Sequence, residues 1–117
     1  MNRDGQRQQL PPKVSINSLR NHFRSTYKLA EDQIDMMLVA SAKSLTANFA
    51  ALHTALESGD IEQLTRTAHS LKGLLLNMGE NQWAELAREL ELETTNKSKQ
   101  EHLSMVKNLQ YGVEDIF

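Results

Sequence analysis

Residues 60–79 read DIEQLTRTAHSLKGLLLNMG. Ile61, Leu64, Ala68, Leu71, Leu75 and Met78 recur there at helical spacing. At about 100° per residue they share one arc of roughly 100°, which predicts an amphipathic helix. Asp60 stands where a cap would accept backbone N–H groups, with Gln63 three residues on as in a capping box. Gly79 stands where a helix closes in the left-handed conformation. His69 lies about 130° from the centre of the apolar arc, so its ring is expected to face solvent. Glu62, Thr65, Lys72, Gly73 and Leu76 share that outward face.

The same reading extends along the chain. Ile16, Leu19, Phe23 and Tyr27 form a short first helix. A long second helix runs from about Ala30 to Leu56, with Ile34, Leu38, Leu45, Phe49, Leu52 and Leu56 on one side, and Gly59 ends it. After Gly79 a fourth helix spans about Glu80 to Thr94, with Trp83, Leu86, Ala87 and Leu90 at i, i+3, i+4 and i+7. Ser98 with Glu101 forms a second capping box and opens a fifth helix, striped by Leu103, Val106, Leu109, Val113 and Ile116. Of Met36 and Met37, one is expected to pack inside. Glu85, Glu89, Glu91 and Glu93 with Arg88 read as a solvated, ion-paired helix surface.

Composition agrees with an all-α fold. Leu occurs 17 times and Ala 10 times, against 4 Val and 4 Ile, and unbranched side chains lose little rotamer freedom in a helix. The only prolines are Pro11 and Pro12, so no later segment lacks an N–H that a helix needs. Four long amphipathic helices joined by short turns fold most simply as an antiparallel up-down-up-down four-helix bundle, with the short N-terminal helix covering one end. Residues 1–13 are polar and end in the proline pair. They are expected to be a flexible linker from something longer, with residues 14–117 as the domain.

Several function classes are excluded. With 13 Lys and Arg against 15 Asp and Glu, the net charge is -2, too little cation excess for a general nucleic-acid binder. The chain has no cysteine, which removes disulfides, thiol nucleophiles and Cys-zinc sites. His69 has no second ligand at four-residue spacing, so no metal site is expected. No apolar run approaches the roughly 20 residues of a bilayer span. No signal peptide is legible.

The outward face of the third helix holds two oddities. Gly73 sits mid-helix, where it costs about 1 kcal/mol relative to Ala. Leu76 is apolar beside an exposed imidazole. Together they mark a place where another molecule approaches the backbone and packs against it. A neutral imidazole is a nucleophile, and the Lys72 ammonium one turn on would meet an arriving phosphoryl dianion. No GxxxxGK[ST] loop, GxGxxG loop or cluster of Asp ligands accompanies it, so the donor chemistry must come from a partner.

Ala68-His69-Ser70-Leu71-Lys72-Gly73, followed by Leu74 to Gly79, resembles the H-x-L-K-G…G signature of histidine-phosphotransfer (HPt) domains. The resemblance covers roughly residues 30–117. It implies that His69 accepts a phosphoryl group from a receiver-domain aspartate and passes it to another. By the same likeness Lys72 is the phosphate neighbour, Gly73 the clearance residue and Gly79 the structural turn. Glu80 departs from the family, which commonly has a small residue after that glycine. Glu62, Thr65 and Leu76 are the expected docking residues. The implied partners are receiver domains of a hybrid sensor kinase and of a response regulator, with no nucleic acid and no direct membrane contact. The domain is expected to be monomeric and without its own cofactor, magnesium belonging to the receiver. Its expected place is the cytoplasm, within a larger inner-membrane protein. A helical docking module without phosphochemistry is the competing reading.

Overall fold

Local capping decides where each helix starts and stops. The Ser15 hydroxyl accepts from Ser18 N–H, the Asp60 carboxylate from Gln63 N–H, and the Ser98 hydroxyl from Glu101 N–H. Each satisfies a backbone donor that has no intrahelical acceptor. In a computed structural model of the protein, which describes residues 10–117, the helices are α1 (Ile16–Tyr27), α2 (Glu31–Ser58), α3 (Ile61–Asn77), α4 (Asn81–Leu92) and α5 (Lys99–Val113). No strand occurs among the described residues. Gly59 and Gly79 close α2 and α3 at φ 70° and 79°, where a side chain would be strained.

The helices pack in a closed ring: α2 on α3, α3 on α4, α4 on α5, and α5 back on α2. This is the expected up-down-up-down bundle. Its axis is filled by Leu45, Leu52, Leu64, Leu71, Leu75, Trp83, Leu90, Val106 and Leu109, all essentially buried. The α1 helix lies against α2 and reaches the end of α3. There His22 Nε2 lies 3.1 Å from the Asn77 carbonyl oxygen and the Tyr27 hydroxyl donates to that oxygen at 3.2 Å. Those bonds occupy a carbonyl that the helix end leaves without an intrahelical donor.

Three expectations need correction. Residues 1–9 of the supposed linker lie outside the described residues, but residues 10–13 are held. The Trp83 indole donates to the Pro12 carbonyl at 2.7 Å, Val14 N–H donates to the Gly112 carbonyl at 2.8 Å, and Leu10 packs against the core. A buried indole N–H must find an acceptor, and the lead-in supplies it. Met36 and Met37 are both exposed, because Ile34 and Leu38 already fill the inward side there. Ile61 is 41% exposed, because it lines an open hollow with Leu56, Gly59, Lys99 and His102 and does not fill the core.

Candidate functional site

His69 occupies the middle of α3 because Leu64, Ala68, Leu71 and Leu75 take the buried side. Its side chain is 66% exposed, as the helical periodicity requires. The ring is nonetheless held on one side. Nδ1 lies 2.8 Å from Oε2 of Glu91 on α4, and the other oxygen of the same carboxylate accepts from the Lys72 ammonium at 3.1 Å. One carboxylate thus bridges the imidazole and the ammonium.

The bridge fixes the chemistry of the ring. An ionised carboxylate accepts hydrogen bonds and donates none. Nδ1 therefore carries the proton, and in the neutral ring Nε2 keeps its lone pair. No described residue makes a hydrogen bond to Nε2. Glu91 itself is largely covered, with a side chain 19% exposed. Burial pushes its pKa up, but the hydrogen bonds from Lys72 and His69 outweigh that and hold the carboxyl below the ordinary glutamate value. Glu91 is ionised at neutral pH.

The remaining predicted residues divide by what they touch. Gly73 has no heavy atom within 4 Å of where a Cβ would stand, apart from its own helix backbone. Clearance beside His69 is thus a property of the surface. Leu76 is 48% exposed on the same face. Glu62 is exposed and makes a 3.7 Å ion pair with Arg66, a contact of little energy in water. Thr65 is half-buried, its hydroxyl 2.9 Å from both the Ile61 carbonyl and the Thr94 hydroxyl. That hydroxyl ties α3 to the end of α4. Gly79 ends α3 in a Schellman arrangement: Glu80 N–H donates to the Leu75 carbonyl at 2.9 Å and Gly79 N–H to that of Leu76 at 3.0 Å.

Reading α4 as a uniformly solvated acidic surface was wrong at Glu91. A signal existed in the sequence. Once Ala84 is counted with Trp83, Ala87 and Leu90 as buried, Glu91 falls inside the buried arc, whereas Glu85 and Glu89 fall outside it. The other histidines have structural contacts. Besides His22 at the end of α3, His53 Nε2 pairs with Gln110, and His102, 3% exposed, lies 3.1 Å from the Glu93 carbonyl.

Comparison with known proteins agrees with this geometry. The family model described as Hpt domain matches residues 36–115, which include α3, α4, α5 and all but the first turn or so of α2. No curated protein and no solved structure matches the chain. An exposed imidazole on a bundle helix, set beside a lysine and a mid-helix glycine, stands within the matched span, and the chain belongs to the Hpt domain family.

Proposed function

We propose that the protein is a phosphocarrier whose acceptor is His69. A receiver domain bearing an aspartyl phosphate docks over α3 and the adjoining part of α2. Nε2 of His69 attacks phosphorus in line, and the aspartate carboxylate leaves. The aspartate of a response regulator later takes the group by the reverse path. The supporting observation is the bridge through Glu91, which leaves Nε2 as the unpartnered nitrogen of a largely exposed ring.

Lys72 serves as the cation beside the phosphoryl group, and its tie to Glu91 keeps it next to the ring. Gly73 gives the visitor room, and Leu76 and Glu62 form the rim that it meets. Thr65 contributes by holding α4 in register more than by direct contact. Magnesium, where used, belongs to the receiver. Because one face must serve both donor and acceptor, the complexes are small and transient. Among the described residues no helix is long and apolar enough to cross a membrane. On this reading the domain acts as a monomer in the cytoplasm, carried by a larger inner-membrane protein.

The test is transfer from a phosphorylated receiver. The wild-type chain should acquire acid-labile label from it and none from ATP alone. His69→Gln should acquire none while keeping its helical circular dichroism, because the side chain contributes nothing to the core. Label retained by the folded His69→Gln protein would refute the assignment. Lys72→Ala should fold and accept label more slowly; an unchanged rate would remove Lys72 from the reaction.

A further inference from the structure

We infer that Glu91 keeps the proton on Nδ1 of His69 through the whole cycle, so that the phosphorylated ring is a phosphoimidazolium poised to release its cargo. The inference rests on the phosphocarrier reading and concerns how the loaded state is kept reactive. Glu91 is here a positioning residue, acting on phosphorus only through the imidazole.

The proton count leads to it. In the resting ring Nδ1 carries hydrogen and Nε2 carries the lone pair. That pair forms the N–P bond while the P–O bond to the donor aspartate breaks, its electrons leaving with the carboxylate. The ring now bears phosphorus on Nε2 and hydrogen on Nδ1, and so one positive charge. Loss of that hydrogen would turn a bare Nδ1 lone pair toward a carboxylate oxygen 2.8 Å away. It would also forfeit a charge-assisted hydrogen bond to a carboxylate that is itself mostly covered. Retention is therefore favoured. When the next carboxylate attacks phosphorus, the N–P electrons return to Nε2 and restore the neutral imidazole. No proton enters or leaves in either direction. A ring that had lost its proton would have to depart as an imidazolate, a far poorer leaving group.

The surrounding charges are few. On α3, Lys72 shares the carboxylate, while Arg66, one turn before His69, pairs loosely with Glu62. On α4, Arg88 is paired with Glu85 at 3.1 Å. From α2, the groove beside Arg66 and Ser70 is lined by Ala47, Asn48 and Ala51, none of them titratable. Glu91 is thus the one anion in contact with the ring among the described residues.

The experiment loads ring-15N-labelled wild type and Glu91→Gln with phosphoramidate and follows the His69 nitrogens by NMR as pH rises. In a parallel arm, release to an unphosphorylated receiver is timed across the same range. Gln is nearly isosteric, but its amide can turn to donate to a bare Nδ1. Nδ1 of the loaded wild type should stay protonated through about pH 8, and that of Glu91→Gln should lose its proton at lower pH, which makes release severalfold slower at about pH 8 and similar at about pH 6. A merely structural role would give a constant ratio of the two rates at every pH, which would overturn the inference. So would a loaded wild-type ring found bare at Nδ1 at neutral pH, a result independent of the variant. Should neither phosphoramidate nor any phosphorylated receiver load His69, the phosphocarrier reading itself falls. Loading with identical titration in both proteins sinks only the role of Glu91.

Discussion

Gly73 lies in the interior of α3, yet nothing in the folded chain occupies the space its side chain would fill. Ala at this position should therefore stabilise the isolated protein by up to about 1 kcal/mol, the usual helix-propensity gap, as read from denaturant midpoints. The new methyl group would stand one turn past His69 on the face offered to a receiver, and transfer should slow several-fold. Greater stability together with undiminished transfer would show that the glycine serves no partner. At this scale the legible residues were those whose meaning is set by their own helix. His69, Lys72 and Gly73 are readable because three- and four-residue steps place them on one face. Glu91 is not, because its value arises from α4 crossing α3, 22 positions away along the chain. The periodicity of α4 sets Glu91 inside the buried arc, apart from Glu85 and Glu89, but does not show what it meets there.

The turn between α3 and α4 shows how elements constrain one another. Gly79 combines φ 79° with a position where a Cβ would stand 2.5 Å from the His22 ring. Gly79→Ala should thus cost a left-handed penalty of about 1–2 kcal/mol, plus the displacement of α1. Adding His22→Ala should recover only the second part, a partition that thermal unfolding of the single and double variants can measure. Beside it, burial holds the Glu80 carboxyl above its ordinary pKa, and attraction to His22 offsets this only in part. A carboxyl raised in the folded state favours folding while protonated, and that contribution is lost as pH rises through its folded pKa. Glu80→Gln should therefore be more stable than wild type near neutrality, with the advantage vanishing by about pH 3, below the ordinary glutamate pKa. An advantage that persists in acid would mean the gain has another origin. Helix limits were legible to within two residues where Asp60, Ser98, Gly59 and Gly79 act locally, whereas the last helix, which has no such stop signal, ends at Val113 and not at the expected Ile116. The seating of α1 on the Asn77 carbonyl was not, since sequence periodicity shows a buried face without showing its partner.

Across the whole molecule, the four amphipathic stripes were enough to specify the bundle, because each apolar face has only its neighbours to bury against. What escaped the sequence was the lead-in, whose contacts join residues 71 positions apart. Its closure depends on Gly112, where a Cβ would come within 2.6 Å of the Trp83 ring. That ring is fully buried and cannot yield cheaply. Gly112→Ala should destabilise by about 1–3 kcal/mol through overpacking, only partly offset by its better helix propensity. Because the Gly112 carbonyl also accepts from Val14 N–H, the same variant should expose the lead-in to protease; a resistant and equally stable Gly112→Ala protein would contradict this picture of the joint. Trp83 is the chain's sole tryptophan, which turns that junction into a built-in optical gauge. Selective ultraviolet excitation interrogates one spot, where Pro12 and Val14 meet Trp83 and Gly112. Detachment of the lead-in would hydrate the indole and shift its emission to longer wavelength before the helical dichroism falls, so fraying and global melting can be told apart with no added dye.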